Sequence, residues 1–141
     1  MIRLGVAALI GAALLAQGTK SPETSGFLCI PDYSTGFAVG RSGKWESTNF
    51  DVKGERYLLR LKGGRWYWTR FGEEPMERID SCTDFNEEGF SECNNREEPV
   101  RFNRNTLRFQ VVHPYGYVVS DLSMDKDPIT PYYMIGRCTP L

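Results

Sequence analysis

The sequence predicts an all-β domain, a small antiparallel β-barrel or sandwich of about eight strands, on three observations. Aromatic and β-branched residues recur in short runs punctuated by Gly, Pro and Asn. No window sustains a 3.6-residue apolar period, so little helix is expected. Four cysteines, an even number, are spread through the same region, as in a small sheet stapled by two disulfides.

The chain opens on Met1-Ile2-Arg3, and Leu4 to Leu15 then contains only Leu, Ile, Val, Ala and Gly. The run exits through Ala16 into Gln17, Gly18 and Thr19. A basic start, a short apolar run and a small-residue exit read as a secretory signal peptide over residues 1–16, with a cut after Gly18 as the alternative. A membrane anchor needs about 20 apolar residues, and polar residues intervene sooner, so no anchor is expected after cleavage. Residues 17–25 form a polar, flexible lead-in, and 26–141 a single disulfide-stapled β domain. The expected location is periplasmic or secreted. The formal net charge is −1, with acidic and basic residues interspersed. That pattern speaks against a nucleic-acid stripe and against an acidic tail.

Phe27–Ile30, Phe37–Val39 and Lys44–Val52 read as strands separated by Gly/Ser turns. From Glu55 to Gly72, Tyr57, Leu59 and Leu61 alternate with Leu58, Arg60 and Lys62, and Trp66 and Trp68 with Arg65, Tyr67 and Thr69. Gly63-Gly64 between them suits a two-residue type I′ turn, in which both central residues have φ > 0. Lys62 then lies opposite Arg65, Leu61 opposite Trp66, Leu59 opposite Trp68 and Tyr57 opposite Arg70. Directly opposed residues share a sheet face. Met76–Cys82 reads as a further strand. Val100–Phe102 and Leu107–Val111 form a second hairpin about Asn103-Arg104-Asn105-Thr106, with Leu107, Phe109 and Val111 inward. Pro114-Tyr115-Gly116 turns the chain into a strand at Tyr117–Ser120. A polar loop carrying Asp121, Asp125, Lys126, Asp127 and Pro128 leads to the last strand, Tyr132–Cys138.

Four cysteines allow three connectivities. Cys82 and Cys93 flank a turn-rich stretch, so a local Cys82–Cys93 bridge is natural, and Cys29–Cys138 then ties the first strand to the last. A first-to-last tie favours a barrel, because closure sets those strands side by side and removes sheet edges. Metal binding by the cysteines has little support, since no Cys-x-x-Cys pair exists and there is one histidine. Gly43-Lys44-Trp45 resembles the Gly-x-Trp that opens lipocalin/calycin-like barrels. The resemblance implies a lipocalin-like barrel in which a basic residue near the barrel's end, here Arg137, packs on Trp45.

No constellation reaches the level of a catalytic or cofactor motif, so no enzyme activity, metal or cofactor is expected. His113 stands alone at a strand end, where a surface or capping role is the ordinary reading, and no Gly-x-Ser-x-Gly elbow is present. Glu73-Glu74, Glu87-Glu88 and Glu97-Glu98 fall in expected loops as solvated carboxylates. Asp84 to Glu92 partly mimics a calcium loop, but position twelve is Asn95 instead of glutamate. A disulfide-closed acidic turn explains it better. Three Trp, seven Tyr and eight Phe remain. Trp45, Tyr57, Trp66 and Trp68 are candidates to line a lumen for a small apolar or sugar ligand, although small barrels are usually filled by their own side chains. Arg60, Lys62, Arg65, Tyr67 and Arg70 form a basic-aromatic strip, a candidate surface for a partner protein. The expectation is therefore a non-enzymatic exported module that binds another exported protein, with a small ligand in the barrel as the alternative.

Overall fold

A computed structural model describes residues 25–95, 98–119 and 129–141. The segment read as a signal peptide, the lead-in up to Thr24, Glu97 and the Asp121–Pro128 loop lie outside the described residues.

The domain is all-β. Eight antiparallel strands run β1 (Gly26–Val39), β2 (Trp45–Phe50), β3 (Tyr57–Lys62), β4 (Arg65–Arg70), β5 (Phe90–Asn95), β6 (Glu98–Asn103), β7 (Arg108–His113) and β8 (Tyr132–Pro140). Their order in the sheet is β4-β3-β1-β8-β7-β6-β5, with β2 also on β1. The two ends of that order meet through Asp80–Thr83. On one side Trp68 N–H donates to the Asp80 carbonyl (2.9 Å) and Cys82 N–H to that of Trp66 (2.8 Å). On the other, Thr83 N–H donates to the Glu92 carbonyl (2.8 Å) and Asn94 N–H to that of Ser81 (3.3 Å). The sheet is a nearly closed barrel.

The two short strands expected at the start are one long strand, β1. Its first half pairs with β3 and its second half with β2 along the same edge, while β8 runs the length of the other edge. Pro31, which has no N–H to donate, falls between the β3 and β2 pairings, beside a bulge at Pro31/Tyr33. The β3–β4 hairpin has the register read from the sequence, from Tyr57 opposite Arg70 to Lys62 opposite Arg65. Gly63 and Gly64 supply φ of +59° and +78° at its turn.

Three expectations are corrected. Met76–Cys82 is not a strand; only Ser81 and Cys82 make bridges, to Tyr67 and Cys93. The stretch read as turn, Thr83 to Glu92, runs at its end into a strand, β5 (Phe90–Asn95). Tyr117–Val119, read as the start of a strand, lies in a single helical turn, Gly116–Val119.

Inward positions come from alternate residues of each strand. The buried core is Phe27, Cys29, Tyr57, Leu59, Trp68, Cys93, Val100, Phe102, Phe109, Val111, Met134 and Cys138. Cys29 lies directly opposite Cys138 in the β1–β8 ladder and Cys82 opposite Cys93, and both pairs are disulfide-bonded.

Candidate functional site

The interior belongs to the aromatic rings. Trp68 is fully buried, stacked on Tyr57 (5.2 Å between centroids, 16° between planes) and tilted against Phe109 (5.1 Å). Trp66 sits nearer the barrel's end, 5.9 Å from Phe27 and 5.1 Å from Phe85. These rings fill the space a lumen ligand would take. Trp45 is not with them. It lies on β2, outside the buried cluster, with its ring edge-on to Tyr117 (5.5 Å). Arg137 does not pack on it either, because both ends of its guanidinium bond Asp32 (3.0 Å each). The lipocalin-like Trp45–Arg137 contact is absent.

The basic-aromatic strip is largely covered from within. After β4 the chain doubles back, and Glu74 bonds Lys62 (3.1 Å) and pairs with Arg60 (3.3 Å), while Arg60 also donates to the Glu73 carbonyl (2.9 Å). The Lys62 ammonium, with Arg60 beside it, holds the Glu74 carboxyl below the usual carboxylate range. Tyr67 points outward but is only 5% exposed; Ser81 pairs beside it in the sheet, and Pro75 lines the same hollow. Arg70 belongs to the other face, since it opposes Tyr57. It borders a small hollow with Glu73, Asp80 and Glu98. Of the five residues, Lys62 and Arg65 remain exposed on the strip.

His113 is corrected as well. Its side chain is mostly buried, with the ring stacked on Tyr132 (5.5 Å, 16°) and Nδ1 3.7 Å from Glu98 Oε1. The Tyr132 hydroxyl donates to that same oxygen at 2.7 Å. Burial, reinforced by Glu98, pushes the Tyr132 phenol well above its ordinary value, so it stays a hydrogen-bond donor. Glu98 is thus a structural acceptor, unlike the solvated carboxylate expected. In the acidic turn, Asn86 Oδ1 accepts the Phe90 N–H (2.8 Å) and Thr83 Oγ1 the Glu92 N–H (3.0 Å), which binds the segment into a β-turn closed by Cys82–Cys93.

The exposed apolar face lies elsewhere. Across the outside of the barrel, pairing sets Arg101, Gln110, Ile135 and Tyr33 in one row. The neighbouring rows are Val112, Tyr133 and Thr35, and Arg108, Arg137 and Ile30. Tyr33 is 73% exposed, and Ile30, Phe37, Tyr133 and Ile135 are each exposed by 41–52%. A shallow groove of about 520 Å³ runs beside Tyr33 and Ile135, between Arg101, Arg108 and Arg137. The Tyr133 hydroxyl is tied to Gln110 Oε1 (2.8 Å), which fixes that ring on the surface. Sequence reasoning missed this face. Its one signal is the last strand, where Tyr133 and Ile135 are apolar although the alternate residues Met134, Gly136 and Cys138 already form the inner face.

No family model, curated protein or solved structure matches the chain.

Proposed function

We propose that this chain is an exported, non-enzymatic binding module that holds another exported protein against the outer face of β7, β8 and β1. The carrying observation is the row Ile135–Tyr33 with Tyr133, Ile30 and Phe37 around it, apolar and in water, on a rigid antiparallel sheet. Contiguous apolar surface of this kind is uncommon on a monomer without a partner. Tyrosine loses little rotamer freedom on binding and buries a large ring, and tyrosine and arginine are enriched among the residues that carry interface energy. Arg101 and Arg137 are already neutralised by Glu92 and Asp32, so the rim offers pre-oriented polar groups. Export is supported by two disulfides in one small domain, which oxidising compartments favour.

The test places a photo-crosslinking phenylalanine analogue at position 33 or, as a control, at position 53 of the exported protein in its native cell. A discrete adduct from position 33 alone, lost with Ile135→Glu in a variant of unchanged circular dichroism, supports the reading. Adducts from both positions, or from neither, overturn it.

A further inference from the structure

A second concave surface closes one end of the barrel, on the other side of the β6–β7 turn from the groove beside Tyr33. Phe27, Leu61, Trp66, Phe85 and Leu107 form its apolar wall, and Asp84, Arg104 and Asn105 its polar rim, around about 640 Å³. We infer that this cleft is a binding site for a neutral saccharide.

The wall is built from rings that the core holds in place. Phe27 lies 4.8 Å from Phe102 and Phe85 5.1 Å from Trp66, so Trp66 is packed behind while it lines the cleft. The rim is equally fixed. Arg104 N–H bonds the Gly89 carbonyl (2.9 Å), and Asn103 and Asn105 both donate to the Glu88 carbonyl (3.2 and 3.0 Å). The Arg104 guanidinium lies over Phe85, 5.0 Å from the ring centre. Among the described residues, neither the Asp84 carboxylate nor the Arg104 guanidinium enters an ion pair or a side-chain hydrogen bond. One N–H of the Asn105 amide is given to Glu88, and its oxygen is left as an acceptor.

The charges select among ligands. An anion drawn to Arg104 also meets Asp84, and a cation drawn to Asp84 also meets Arg104. A wholly apolar ligand would desolvate both and bond neither, which costs free energy. A sugar ring matches every group. Its C–H face lies on an indole ring, and its hydroxyls accept from Arg104 while donating to Asp84 and Asn105. The volume is within the range of small-ligand sites, enough for one or two pyranose rings.

The experiment follows the Trp66 indole N–H of the disulfide-intact protein by two-dimensional NMR during titration with cellobiose, maltose and N,N′-diacetylchitobiose. Indole-3-acetate serves as an anionic aromatic probe. A saturable shift with at least one disaccharide is expected, weakened at least tenfold in Asp84→Asn and in Arg104→Gln, and unchanged in Tyr33→Ala. Should either of these two variants fail to fold, the other decides alone. Absence of a shift with all three disaccharides overturns the proposal. So does tighter binding of indole-3-acetate than of any disaccharide, with Asp84→Asn strengthening it, which would mark an anion site.

Discussion

Gly136 lies directly beneath the ring of Phe109: a Cβ at position 136 would stand 2.5 Å from Phe109 Cε1 and closer still to the Ile30 carbonyl oxygen. The two residues oppose each other in the β7–β8 ladder, so the missing side chain of one is the space the other's ring occupies. Phe109 in turn supports Trp68, the centre of the core. Gly136→Ala is therefore expected to destabilise the fold by about 1–3 kcal/mol, as overpacking does, even though alanine normally improves on glycine within a strand. Urea unfolding checks this, and a variant as stable as the parent would show that the ring has room to move.

The two disulfides are expected to differ in worth. Cys29–Cys138 joins residues 109 apart and Cys82–Cys93 residues 11 apart. In the chain-entropy account the longer loop restrains the unfolded chain more, by about 2 kcal/mol for these lengths. Removing Cys29 and Cys138 together, as alanines, should lower the unfolding midpoint more than removing Cys82 and Cys93. Equal losses would mean that the short bridge contributes chiefly by holding Asp80–Thr83 between β4 and β5.

Alkaline pH should loosen the end of the barrel where Tyr57 sits. Burial, and next the nearby Glu55 carboxylate, push the Tyr57 phenol up to about 12. The folded state therefore favours the neutral phenol more than the unfolded state does. That contribution is complete below about pH 10, the ordinary tyrosine value, and is lost as pH rises from there through about 12. Stability measured by urea unfolding should fall over that interval in the parent and fall less in Tyr57→Phe. A parent profile flat to pH 12 would contradict the burial of this hydroxyl.

Much of the barrel was legible because its signals are local. The Glu55–Gly72 hairpin combines a two-glycine turn with clean alternation, and each fixes the same register. Strand β5 was not legible because its inward residues are the small Ser91 and Cys93, and the rest of Phe90–Asn95 is mostly polar. At Gly116–Val119 the β-branched residues suggest a strand, yet the backbone coils. Gly116 is held against the Ile129 carbonyl too closely for any side chain, a contact outside the reach of local propensity. Alternation correctly set Arg60 and Tyr67 on the outer face, but not the return of Glu73–Ser81 across them. The Tyr33–Ile135 surface is assembled from the first and last strands, so it appears only once their pairing is known.

Leu107 offers the sharpest test of backbone against side chain. Its φ of +56° is the left-handed conformation, and among the non-glycine residues described it alone adopts it. It ends the turn in which Asn103 Oδ1 accepts the N–H groups of Asn105 (2.8 Å) and Thr106 (3.1 Å), a position where such hairpins favour glycine. A leucine there bears a strain of about 1–2 kcal/mol. In return its side chain packs against the core cluster and walls the cleft beside Trp66, and its carbonyl accepts the Cys138 N–H (2.8 Å). Leu107→Ala discards the packing and keeps the strain, whereas Leu107→Gly discards both. Glycine at 107 is thus expected to be at least as stable as alanine, reversing the usual order within a strand. Thermal unfolding of the two variants decides the matter. If alanine proves clearly the more stable, the left-handed turn costs little, and the packing of Leu107 needs no strain to offset.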